Sequence, residues 1–178
     1  MKFKLIMFVI ASFLGLSEGF AQGVRLSLAP ELNFPTGNAS NVSGIGFGGG
    51  LKAEVAVAEK YAVTANGAYN LFIGKKYFGN RTPNIKAVPV KIGLKYYSTP
   101  DFYLEGQGGA ALRQGDNSKT SFVWSGGIGT LFRTSGEGKL DFGLRYEAWS
   151  GGFNSTVNTV KSSSFGFIGL KLGYLFHL

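Results

Sequence analysis

The side chains able to do chemistry in this sequence alternate with hydrocarbon. Arg25, Lys52, Lys91, Lys95, Arg145 and Lys171 stand with the carboxylates Glu31, Glu54, Glu105, Asp141 and Glu147 on the polar side of segments that alternate residue by residue. Both signs on one face, in near-equal number, suit a narrow interior where charges pair, because a buried charge is tolerated only when compensated. The expected network comprises Lys52, Glu54, Lys91, Lys95, Glu105, Asp141, Arg145, Glu147 and Lys171. Within it, Lys91, Lys95 and Arg145 should sit opposite Glu54, Glu105, Asp141 or Glu147 on neighbouring strands. On a water-facing surface the same set would be a solvated face, so the charges alone do not choose.

Catalytic chemistry finds little support. The single His, His177, is next to the C-terminus, remote from the loops where a base for hydrolysis would be needed. The absence of Cys removes disulfides, thiol catalysis, thiolate metal sites and lipidation on cysteine. Asp141 and Glu147 are six residues apart on one extended segment, roughly 20 Å, too far for paired-carboxylate glycoside hydrolysis. The run Gly44-Ile45-Gly46-Phe47-Gly48-Gly49-Gly50 has the glycine content of a phosphate-binding loop but no following helix to present its N-terminus. The reading is a non-enzymatic chain without catalytic, cofactor-binding or metal-binding residues.

The elements that carry these residues are strands. Val88, Val90, Ile92, Leu94 and Tyr96 alternate with Pro89, Lys91, Gly93, Lys95 and Tyr97, and Leu140, Phe142, Leu144 and Tyr146 alternate with Asp141, Gly143, Arg145 and Glu147. Eight such strands are expected, near 23–33, 45–57, 61–73, 87–97, 102–112, 121–133, 139–149 and 165–177. Short turns at 58–60, 98–101 and 134–138 alternate with long polar loops at 34–44, 74–86, 113–120 and 150–164. Eight sequential antiparallel strands with both termini at the short-turn end describe an all-β up-and-down barrel, and no helix is required.

Composition limits the alternatives. With 44% hydrophobic and 15% aromatic residues the chain has too much apolar surface for disorder. Beyond the N-terminus no apolar run reaches the roughly 18 residues of a membrane helix. The net charge of +8 is scattered without a basic run, which argues against nucleic acid. Lys2 and Lys4, the apolar stretch 5–16 and the small residues Gly19 and Ala21 describe a cleaved signal peptide over 1–21. Residues 22–178 then form the barrel domain.

Which face points outward decides function. Tyr61, Tyr96, Phe102, Phe132, Phe142, Tyr174 and Phe176 mark the apolar face at the short-turn end, and Phe47, Tyr69, Phe122, Trp124 and Tyr146 mark it toward the loops, with aliphatics between. Two aromatic girdles around an aliphatic belt are the pattern of a transmembrane barrel. Glycines on the polar face leave room inside for long charged side chains.

The leader ending Phe20-Ala21-Gln22, the stretch 28–37 with Pro35-Thr36-Gly37, the glycine-rich opening at 46–50 and the closing Leu170-x-Leu172-x-Tyr174-x-Phe176-x-Leu178 resemble small outer-membrane β-barrel domain proteins of Gram-negative bacteria, of the OmpA and OmpX type. The resemblance implies export to the outer membrane, a closing strand read by the barrel-assembly machinery and a monomer among outer-membrane lipids. Other envelope proteins are candidate partners. Lys75, Lys76, Arg81 and Lys86, beside Tyr77 and Phe78, make one long loop basic and are candidate contacts for lipopolysaccharide phosphates. A soluble lipocalin-like barrel around a lipophilic ligand and a lipid-modifying barrel enzyme stay open as alternatives.

Overall fold

In the computed structural model, described for residues 23–77, 80–114, 120–136, 138–151 and 164–177, eight antiparallel strands close into a barrel. They are β1 (Val24–Thr36), β2 (Ser43–Ala58), β3 (Tyr61–Gly74), β4 (Ile85–Thr99), β5 (Phe102–Arg113), β6 (Ser121–Arg133), β7 (Lys139–Ser150) and β8 (Ser164–His177). Each pairs with its neighbours in sequence, and β1 pairs with β8 through registers such as Leu28↔Tyr174 and Leu32↔Leu170. Closure leaves no strand edge in the barrel wall.

Period-two patterning fixes which way each side chain points. Ile92 is 70% exposed while Lys91 and Lys95 on either side of it are 2% and 0% exposed. Leu28, Leu51, Val90, Leu94, Phe122 and Leu172 share the exposed face; Glu54, Asp141 and Glu147 share the buried one. Hydrocarbon is outside and charge inside, the inverse of a water-soluble barrel, and the architecture is that of a transmembrane β-barrel. The soluble alternative requires the opposite arrangement. Tyr61, Phe102, Phe132, Phe142 and Phe176 at the turn end, and Phe47, Tyr69, Phe122, Trp124 and Tyr146 nearer the loops, all lie on the exposed face.

Two departures from the sequence expectation concern the loop end. β1 and β2 run further than expected, so the connection shrinks from 34–44 to 37–42, and the glycine-rich run 44–50 is strand throughout. That short connection contains one turn of helix, Ala39–Val42, where none was required. Gly37 turns the chain with φ 55, a left-handed conformation that favours glycine. Its carbonyl accepts from the Ser40 amide at 3.1 Å and the Ser40 hydroxyl at 2.7 Å. Ala39 is thereby buried against the aromatic cluster at the barrel mouth.

Candidate functional site

The lumen is filled in layers. At the turn end Glu54 of β2 accepts from Lys95 of β4 at 2.5 Å, from Tyr97 at 2.5 Å and from Arg25 of β1 at 2.6 Å. Beside it Asp141 of β7 accepts from Tyr103 of β5 at 2.6 Å and from Lys171 of β8 at 2.7 Å. Tyr97 and Tyr103 also pack with Ala62, Leu131 and Leu175 in a small apolar cluster.

At mid-height Lys52 of β2 reaches Glu105 of β5 at 2.5 Å, and Thr64 and Gln107 donate to the same carboxylate at 3.0 Å. Above this, Lys91 of β4 spans the lumen to Glu147 of β7 at 2.5 Å. Glu147 also accepts from Arg145 at 3.1 Å and from the Trp149 indole at 2.7 Å. Arg145 then grips Glu31 of β1 with two bonds of 2.8 Å. Pairing and hydrogen bonding of this kind offset the cost of taking the charges out of water, which an isolated buried ion would bear in full.

The expectation of pairing between adjacent strands needs correction. Lys52–Glu105 and Lys91–Glu147 each skip two strands, and Lys95–Glu54 and Arg145–Glu31 skip one. An eight-stranded lumen is so narrow that a lysine reaches across it, and glycines clear the way. A Cβ at Gly93 would strike the Gly106 carbonyl and the Gln107 side chain, and one at Gly129 would strike the Tyr103 ring.

Above the charges Asn33 and Asn70 share a 3.2 Å bond, and then an aromatic plug closes the mouth. Phe72, Trp149, Phe165 and Phe167 are each 0–2% exposed, with ring centroids 4.9 Å apart for Phe72–Phe165 and 5.0 Å for Phe72–Phe167. Sequence reasoning missed this plug because it looked for aromatics on the outer girdles only. The parity was there to read: Phe165 and Phe167 share odd positions with Lys171, and Trp149 with Glu147. Tyr97, Tyr103, Asn33 and Asn70 were overlooked as lumen partners in the same way.

The loop end is basic. Lys75 and Lys76 are exposed beyond β3, Lys86 is exposed at the start of β4, and the backbone of a two-residue ribbon sets Arg81 opposite Lys76. The Lys75 amide donates to the Val42 carbonyl at 3.2 Å, the Thr82 amide to the Lys75 carbonyl at 2.9 Å, and the Gly74 amide to Asn84 Oδ1 at 3.0 Å. A Cβ at Gly74 would collide with the Thr82 carbonyl, so glycine is needed for the loop to fold back this closely. Phe78 lies outside the described residues. His177 ends β8 at the turn end, away from this rim. Among the described residues no group of three or more His, Cys, Asp or Glu side chains is placed to hold a metal ion.

Solved structures with the same fold are small outer-membrane barrels. Ail, the attachment invasion locus protein of Yersinia pestis, aligns with a TM-score of 0.57 at 17% identity over 87% of this chain and 99% of its own. Neisserial surface protein A gives 0.60 at 17% identity over 87% and 97%, and OprG of Pseudomonas aeruginosa gives 0.55 at 15% over 90% and 99%. No family model and no curated protein matches the sequence. At these identities the likeness is one of fold.

Proposed function

We propose that this chain is a non-enzymatic integral protein of the Gram-negative outer membrane, exported with loss of residues 1–21, closed along its lumen and active through its surface loops. The observation that carries the reading is the inversion at β4, where Ile92 faces out among aliphatics while Lys91 and Lys95 are sealed inside. The stacked ion pairs and the aromatic plug support a lumen that conducts few solutes. The alternation of Leu170, Leu172, Tyr174 and Phe176 along β8 supports recognition by the barrel-assembly machinery, and the folded barrel acts as a monomer.

The loop contribution rests on Lys75, Lys76, Arg81 and Lys86. Held on a backbone anchored to β3 and to the 37–42 connection, they form a cationic rim over the outer leaflet, suited to lipopolysaccharide phosphates. The Ail neighbour has been solved in complex with the heparin analogue sucrose octasulfate, so a barrel of this fold can hold a polyanion.

Fractionation followed by gel electrophoresis in SDS with and without boiling tests the reading. Recovery in the outer membrane, a mature N-terminus at Gln22 and a mobility shift on heating are expected. Soluble recovery without a shift would overturn it. For the rim, changing all four cations to Gln should weaken lipopolysaccharide retention, and the loss should mimic that caused by high salt.

A further inference from the structure

The connections at the two ends of the barrel differ in charge. Those at the turn end, 59–60, 100–101 and 134–138, hold Glu59, Asp101 and Glu137 against Lys60. Those at the loop end, 37–42, 75–84, 114–120 and 151–163, hold Lys75, Lys76, Arg81, Lys119 and Lys161 against Asp116 alone. Pairing differs as well. The lumen cations each meet a carboxylate at 2.5–2.8 Å, whereas no ion pair among the described residues engages Lys75, Lys76 or Lys86.

Two of the loop-end cations are placed where repulsion is strongest. The ribbon between β3 and β4 joins Lys76–Tyr77 to Asn80–Arg81, and its register sets Arg81 directly across from Lys76. Residues directly opposite on antiparallel strands share one face with Cβ atoms about 5 Å apart, and like charges there are destabilising. A two-stranded ribbon without a third strand is marginal even before that penalty. Its base is nonetheless closed, with the Thr82 amide on the Lys75 carbonyl at 2.9 Å and the Lys75 amide on the Val42 carbonyl at 3.2 Å. Val42 in turn packs against the aromatic plug, which fixes the base and leaves the repulsion to be met within the ribbon. An anion seated between the two cations removes the conflict, and charge-assisted hydrogen bonds to its oxygens favour closure.

Building on the lipopolysaccharide reading of the rim, we propose that Lys76 and Arg81 form a clamp for one phosphate monoester of an outer-leaflet lipid, and that the ribbon closes fully only with the phosphate in place. A phosphate monoester carries about two negative charges at neutral pH and several strong acceptor oxygens, enough to bridge a lysine and an arginine across the ribbon. Lys86 marks the lipid as the source. It is exposed, stands in register with Leu71, and shares the parity of Val90 and Ile92 on the lipid-facing side of β4. A cation at that position meets headgroups lying in the leaflet rather than ions above it.

The test follows hydrogen exchange of the Thr82 amide by NMR in the refolded full barrel, held in phosphatidylcholine nanodiscs with bisphosphorylated lipid A, with lipid A stripped of its phosphates, or with inorganic phosphate in solution at the same concentration. Bisphosphorylated lipid A at about ten times its Kd should slow the exchange about tenfold, and the other two should leave it unchanged. Arg81→Glu, which makes the cross-strand pair attractive, should slow the exchange in every nanodisc and abolish the response, and Lys76→Glu should do the same. Equal exchange in the three conditions, an undiminished lipid A response in both variants, or protection by inorganic phosphate alone would each overturn the clamp. Lipopolysaccharide retention measured alongside keeps the two readings apart. Retention that falls in the four-cation Gln variant while Thr82 exchange ignores lipid A removes the clamp and leaves the rim reading standing, whereas full retention in that variant removes both.

Discussion

Arg145 of β7 reaches past Gly169 of β8 and holds both carboxylate oxygens of Glu31 on β1 at 2.8 Å. The clamp spans the seam where the two ends of the sheet meet, and it depends on a missing side chain. A Cβ at Gly169 would lie 2.8 Å from Asn33 Oδ1 and 3.1 Å from Arg145 Cζ. Glu31→Gln leaves a buried guanidinium underpaired and should cost about 3–5 kcal/mol. Gly169→Val should cost a comparable amount by pushing the clamp aside. Urea titration read by the boiling-dependent gel shift measures both, and an unchanged midpoint in either would remove the clamp from the account.

The aromatic plug and the charge layers lie one above another along the lumen. Trp149→Ala should cost about 3–5 kcal/mol of stability yet leave conductance in a planar bilayer at baseline, because the Lys91–Glu147 and Lys52–Glu105 pairs remain below. Conductance should rise only when the layers below, the Lys91–Glu147 and Lys52–Glu105 pairs among them, are truncated as well. A channel opened by Trp149→Ala alone would show that the plug is the sole barrier.

Tyr103 bonds both members of one ion pair, donating to Asp141 at 2.6 Å and accepting from Lys171 at 3.2 Å. Tyr103→Phe should destabilise by about 1–3 kcal/mol, the range for leaving a buried polar partner unmatched. Gly129→Val, whose new side chain would occupy the space of the Tyr103 ring, should be worse than Tyr103→Phe. The reverse ranking in denaturant titrations would contradict this packing.

The fold was legible in the alternation itself. Parity alone separated Ile92 from Lys91 and Leu144 from Arg145, and the strands fall within a few residues of the expected spans. What parity does not carry is distance across a closed ring. Lys91 and Glu147 lie on strands three apart in the barrel order, so their pairing depends on lumen width and strand stagger rather than on sequence neighbourhood. The plug was hidden for a different reason, since Phe165 and Phe167 resemble girdle aromatics until the inward parity of Lys171 is extended to them. The loop cations were visible as a cluster, but their anchoring through Gly74 and Asn84 is a tertiary property.

A charge on the outer face separates a lipid-facing wall from a water-facing one. Ile92→Lys should cost about 2–4 kcal/mol in a bilayer, the range for a lysine near the midplane of a membrane barrel. The same change on a solvated surface would be close to neutral, so unaltered stability in lipid vesicles would count against a lipid-facing β4.

The inversion of the barrel is tested most directly by accessibility along β4. The chain has no native Cys, so single cysteines at positions 90 to 95, each carrying a nitroxide, can be read by electron paramagnetic resonance in lipid vesicles. Strong relaxation by membrane-dissolved oxygen is expected at 90, 92 and 94, with weak relaxation at 91, 93 and 95. The opposite phase, or relaxation at 90, 92 and 94 dominated by a water-soluble nickel reagent, would contradict it.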